Sequence, residues 1–201
     1  IPLRLVGSEM CIRDRGHLPL VRGLNFHLYG DYGLNVFNSR SLAYLKDKEL
    51  ESACVSFELR FAQIRDLKKV LRAEAIVYGR LPLMITENCL VQNETGCRLD
   101  RQGPCVPEDG PCRCGQPNVL VDRTGAAFPL LPAYGHRTEI QNSKPLYLAD
   151  RPEHRRLGLA YARLRFTTET AEECVSVVQN YLDAAPAAGD FTRGLYERGV
   201  E

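Results

Sequence analysis

No apolar run in this 201-residue chain approaches the ~18 residues of a helical membrane span, so the sequence sets no expectation of one. The N-terminus carries no basic segment leading into a signal-type apolar stretch, which sets the expectation of a reducing, cytoplasmic location. Charge of one sign is scarce too: 26 Lys and Arg are interleaved with 25 Asp and Glu, for a formal charge of +1. With no broad field to draw the protein to nucleic acid or membrane, an RNA substrate would have to be held by local arginines. Internal repeats, low-complexity tracts and a G-x-S-x-G nucleophile elbow are all absent, and the last removes one route to serine chemistry. Thiol protease chemistry needs a thiolate beside a histidine, and only His136 lies near the clustered cysteines in sequence.

What the chain does have is cysteine in one place. Five of its eight cysteines fall between Tyr78 and Asn142, among many Gly and Pro. A disulfide framework is one reading, but cysteines crowded into one window of a chain long enough to bury a core unaided fit a thiolate metal site better. Cys89 follows the apolar run LPLMI, which reads as a buried strand with the thiolate at its carboxyl end. Cys97, Cys105, Cys112 and Cys114 follow in Gly/Pro-rich loop, where backbone can wrap an ion. Structural zinc usually draws on C-x2-4-C knuckles, and here Cys112 and Cys114, the closest pair, are separated by one residue. A four-iron iron–sulfur cluster accepts scattered thiolates and is compatible with this spacing, with zinc as the alternative. Reduced cysteines that hold no ligand are the third reading. His136 is either a ligand, since imidazole can replace thiolate on iron, or a loop histidine bonded to backbone. Cys54 and Cys174 fall in apolar patterns and are assigned to the core.

In chain order, residues 1–15 contain GSEMCIRDR, which looks like read-through of sequencing adapter, and are set aside with Cys11 as an artefactual tail. The native sequence is then expected to start near Gly16, with an N-terminal part of the same domain missing. Alternation through Asn25 to Leu28 predicts a strand, Gly30 to Gly33 a loop, and Leu34 to Phe37 a second strand. Asn38 or Ser39 can cap a helix over SLAYLKDKEL. ACVSFEL is expected as a strand, RFAQIRDLKKVLRA as a helix with Phe61, Ile64, Leu67 and Leu71 on one face, and AEAIVYG as another strand. Beyond the cysteine window, YARLRFTTE reads as a strand and AEECVSVVQNYLDAA as a helix with Thr170 and Glu173 forming a capping box.

This rhythm predicts a parallel α/β fold, open or closed into a barrel and read as a barrel-like (partial TIM-type) sheet, with the cysteine-rich segment inserted at the carboxyl end of a strand. The expected divisions are 16–86 for barrel strands and helices, 87–150 for the insertion and 151–201 for the return to the barrel. Asp31, Asn35 and Glu58 fall at expected strand ends as candidate substrate or catalytic groups, Glu58 as a general base. The planar fork of Arg80 suits a carboxylate or phosphate, and Asp122 with Arg123 reads as a structural turn.

The blocks HLYGDYGLNVFNS, SFEL, VYGRLPLMITENC, VDRTGAAFPLL, RTEIQNS and FTRGLYERGVE, in this order from about Gly23 to Glu201, resemble the collagenase-like peptidase family. This is the thirty-second family of peptidases of unknown mechanism. The resemblance implies a barrel-like α/β fold with a cysteine-rich segment, of which this chain would be the C-terminal part. Some members are described as collagen-degrading proteases. Others resemble hydroxylases that add oxygen to a base of ribosomal or transfer RNA, or to a ubiquinone precursor, and bind a four-iron cluster through four cysteines. By resemblance, Cys89 and Cys97 match the first two ligands and Cys112 or Cys114 the third. At the fourth, relatives often have Cys before Arg where this chain has His136, so either His136 completes the site or both Cys112 and Cys114 take part. The expectation is an iron–sulfur protein hydroxylating RNA bases or a small aromatic. The alternatives are a metal- or thiol-dependent peptidase on collagen-like substrates and a non-catalytic zinc-stabilised module.

Overall fold

The computed structural model describes residues 8–21, 23–24, 26–95, 116–133 and 136–199. Its strands begin with β1 (Ser8–Ile12), β2 (Phe26–Gly30), β3 (Ser52–Cys54), β4 (Arg72–Gly79) and β5 (Pro82–Thr86). They continue with β6 (Asn118–Val121), β7 (Ala127–Ala133), β8 (Arg137–Gln141), β9 (Leu146–Tyr147) and β10 (Tyr161–Leu164). The helices are α1 (Leu18–Val21), α2 (Ser39–Asp47), α3 (Phe61–Asp66), α4 (Leu90–Thr95) and α5 (Ala171–Asp183).

Two sheets result. In the first, β1, β2, β3, β4 and β10 are neighbours in that order and all parallel, with β9 antiparallel to the end of β4. The second, entirely antiparallel in the order β5-β8-β7-β6, is built from chain lying between β4 and β10. β4 explains why the first sheet is an interior layer: every residue after Arg72 is buried, the pattern of a strand covered on both faces. The tail returns to seal this core. Tyr196 is buried, its ring stacks on Phe61 at 5.2 Å and its hydroxyl donates to the Ile76 carbonyl at 2.6 Å. α5 starts where the capping box places it, with Thr170 Oγ1 accepting from Glu173 N–H at 3.3 Å and Glu173 Oε2 from Thr170 N–H at 2.7 Å. Among the described residues no helix is long and apolar enough to cross a membrane.

The expected parallel α/β sheet is present. β1 and β10 stand at its two edges, and no pairing between them closes a barrel among the described residues. Arg163 on β10 pairs with Asp31 at the end of β2, across two intervening strands.

Local departures have local causes. Instead of a strand over Leu34 to Phe37, Tyr32–Leu34 forms a 3-10 turn, because Asp31 caps it at Tyr32 N–H and Asn35 ends it in the left-handed region at φ 53°. Only Val36 pairs there, with Val55. α3 stops at Asp66 rather than running on, since Lys69 Nζ caps the carbonyls of Ile64, Arg65 and Leu67, and Lys68 N–H donates to Ser39 Oγ. β5 is a strand as expected but not a buried one. It is an edge that leaves Leu83, Met84 and Ile85 more than half exposed. Residues 8–12, inside the stretch set aside at the sequence level, form β1 alongside β2.

Candidate functional site

Charged side chains link the end of β2, β4 and β10. Arg163 donates through Nη1 to Asp31 Oδ1 and through Nη2 to Glu74 Oε1, with all three side chains largely buried. Burial pushes the Glu74 carboxyl above the ordinary carboxylate value, against the opposing pull of Arg163. Cys54, fully buried beside this pair, has its thiol pushed far up by the same desolvation, so it stays protonated.

Two residues on, Arg165 extends the network to the second sheet. It donates through Nη1 to Gln141 Oε1 at 2.6 Å and through Nη2 to Glu139 Oε1 at 2.9 Å, both acceptors standing on β8. Glu139 also accepts from Gln141 Nε2 at 2.7 Å and from Arg13 Nη2 at 2.9 Å. Burial raises the Glu139 carboxyl, but Gln141 and the arginines Arg13 and Arg165 outweigh it and hold it below the usual value. Arg13 belongs to the terminal stretch set aside above; Arg165 and Gln141 hold Glu139 without it. Beside them, Tyr32 is 8% exposed, 5.9 Å from Phe57 and under the Arg165 guanidinium at 5.6 Å. Its hydroxyl is buried with no hydrogen-bond partner among the described residues.

Of the residues expected from sequence, Asp31 is in this cluster and Glu58 is half-buried just beyond β3, its N–H donating to Ser56 Oγ at 3.3 Å. Arg80 sits at the end of β4 with Nη1 turned to the carbonyls of Asn142 and Ser143 and Nε 3.4 Å from Thr168 Oγ1, so it braces the two sheets. Asn35 is exposed, Cys54 is in the core and Cys174 is partly exposed. Asp122 forms the expected turn, accepting from Thr124 N–H at 2.8 Å and Ala126 N–H at 3.0 Å. Sequence reasoning passed over Glu74, Arg163, Arg165, Glu139 and Tyr32. The signal was present: a glutamate inside AEAIVYG, and arginines two apart in YARLRF, place charge on one face of strands otherwise read as core.

The cysteine end of the second sheet is visible in part. Cys89 lies between β5 and α4, buried against Val91, Leu130 and Ile140. The β5–β8 pairing ends at Thr86 opposite Thr138, followed by a Glu87–Arg137 ion pair at 2.9 Å. Cys89 is three residues past Thr86 and His136 two before Thr138, so both donors occupy the same end of this strand pair. Thr138 Oγ1 accepts from Leu90 N–H at 3.1 Å and fixes the chain next to Cys89, while His136 holds a left-handed backbone at φ 60°. A thiol and an imidazole are donor types that iron and zinc both take. Cys97, Cys105, Cys112 and Cys114 lie outside the described residues. Among the described residues, no three His, Cys, Asp or Glu side chains converge to hold a metal.

Residues 6–121 match the family model of peptidase family U32. No curated protein and no solved structure matches the chain.

Proposed function

Because the chain belongs to peptidase family U32, we propose that it is an iron–sulfur protein that hydroxylates a planar ring, an RNA base or a small aromatic. The observation that carries this reading is the connection between its two halves. Arg165, at the polar mouth of the parallel sheet, is bonded to Glu139 and Gln141 on the same strand, β8, whose other end meets Cys89 and His136. Cys89 would hold a four-iron cluster with Cys97, and Cys112, Cys114 and His136 are the candidates for the remaining positions. Bound there, the cluster would supply single-electron transfer.

The residues of the mouth would bind and orient the ring. Tyr32 and Phe57 would offer aromatic surface, Arg165 a guanidinium plane and Glu58 a half-buried carboxylate. Transfer of one oxygen atom to a ring C–H bond leaves the donor reduced by two electrons. With dioxygen as donor, two further electrons and two protons release the second oxygen as water. Cys54, fully buried and held protonated, does not suit a thiol nucleophile.

Cells, which supply donor and reductant, provide the test. Cells expressing the chain should contain a nucleoside or small aromatic one oxygen heavier than its parent by mass spectrometry, missing when Cys89→Ala replaces it. Gelatin cleavage that survives Cys89→Ala, with no oxygenated product, would sink the proposal and favour the peptidase.

A further inference from the structure

We infer that the outer edge of β6 is a dimerisation strand, which pairs antiparallel with β6 of a second copy of this chain about a two-fold axis at Leu120. β6 ends the antiparallel sheet, and among the described residues no strand pairs with its outer side. Its Val119, Leu120 and Val121 are 57%, 44% and 59% exposed, so apolar side chains flank the backbone groups of that edge. A regular, uncharged edge is a template for another strand, and folds blunt such edges with proline, charge or a bulge. The opposite edge is blunted in this way: β5 opens on Pro82, and its register shifts between Pro82 and Met84. β6, reading NVLV in unbroken register with β7, has none of these protections.

The register selects both the partner and the axis. Asp122 N–H donates to the Ala126 carbonyl at 3.0 Å, and Pro129, opposite Val119, has no N–H to give. Bonded and non-bonded pairs alternate along an antiparallel ladder, so Leu120 turns its N–H and C=O toward β7 while Val119 and Val121 turn theirs outward. A two-fold at Leu120 sets each Val119 opposite the other copy's Val121 and completes four backbone hydrogen bonds. An axis at Val119 would oppose Val121 to Pro117, which cannot donate, and one at Val121 would oppose Val119 to Arg123. Opposed residues share a face. Val119 and Val121 therefore meet on the face that carries Glu139, and the two Leu120 side chains meet on the face of Phe128, Leu130 and Ile140. Pairing β6 with β5 of the next copy would be head-to-tail, whereas the two-fold closes at two chains.

With four residues a side, β6 buries less than the ~1,200 Å² of a standard interface, so the dimer should be weak, with a Kd on the order of 10–100 μM. Sedimentation equilibrium of the full chain under reducing conditions, from about 5 to 500 μM, tests this and is expected to show monomer and dimer alone. Val119→Lys and Val121→Glu should each weaken association about tenfold or more while the Tm of the dilute monomer holds. Mixing these two variants should restore the dimer, because the axis sets the new cation opposite the new carboxylate. Leu83→Lys on β5 should leave association unchanged. A wild type that is monomeric throughout overturns the inference, as does a mixture no more associated than its separate variants. Loss of the dimer in Leu83→Lys, or oligomers that keep growing past two chains, would move the contact to β5 and overturn it as well.

Discussion

Replacing Gly79 by alanine should remove a large share of the stability of the fold. Gly79 closes β4 at φ +119°, a conformation L side chains rarely adopt, and a Cβ there would lie 2.0 Å from the Arg165 carbonyl oxygen and 2.9 Å from its carbon. Neither is the yielding end of a side chain. Arg165 is held in place by its own N–H to the Tyr78 carbonyl at 2.9 Å and by its side-chain bonds to Glu139 and Gln141, so the backbone can retreat only by breaking the link between the sheets. Strain and displaced contacts together should cost about 3–5 kcal/mol, a large share of the ~5–15 kcal/mol that holds a typical domain together. Urea unfolding would read this as a collapse of the midpoint or loss of soluble protein. A Gly79→Ala chain within about 1 kcal/mol of its parent would show that β4 and β10 do not approach as described.

Arg163→Met should cost about 3–5 kcal/mol at neutral pH, because it leaves Asp31 and Glu74 buried without their shared cation. The pH dependence identifies the cause. Glu74 already titrates above the ordinary carboxylate value through burial, and without Arg163 nothing in that pair opposes the rise. A carboxyl raised in the folded state contributes stability that is complete below its unfolded value, near ~4.3, and is lost as pH rises through its folded value. The deficit of Arg163→Met should therefore widen from about pH 4 to pH 7. A deficit that stays flat over this range would place the loss in packing rather than in uncompensated charge.

The parts of this molecule that sequence made legible are those governed by local rules. Thr170 and Glu173 announce the start of α5, and the capping box forms as the spacing requires. The unbroken apolar run of β4 likewise announces an interior strand. What sequence did not reveal depends on partners far along the chain. LPLMI has the composition of a core strand, yet β5 lies at a sheet edge, because β8 pairs with it on one side and no described strand covers the other. RFAQIRDLKKVLRA carries helical spacing past Asp66, but Ser39 and Lys69 end the helix and the chain must turn into β4. The candidate site shows the same division. Asp31 was found because it follows a strand, whereas its partner Arg163 is 132 residues away, on a strand two places removed in the sheet. Cys89 and His136 were singled out by residue type, and the β5–β8 register accounts for their sharing one end of the second sheet.

Whether this chain builds an iron–sulfur centre starting from Cys89 is decided by metal analysis and visible spectroscopy after anaerobic reconstitution with iron and sulfide. About four irons and four sulfides per chain are expected, with broad visible absorption that bleaches on reduction and is lost in Cys89→Ala. A colourless, iron-free wild type, or one holding stoichiometric zinc whose removal by chelator lowers its Tm, would contradict it.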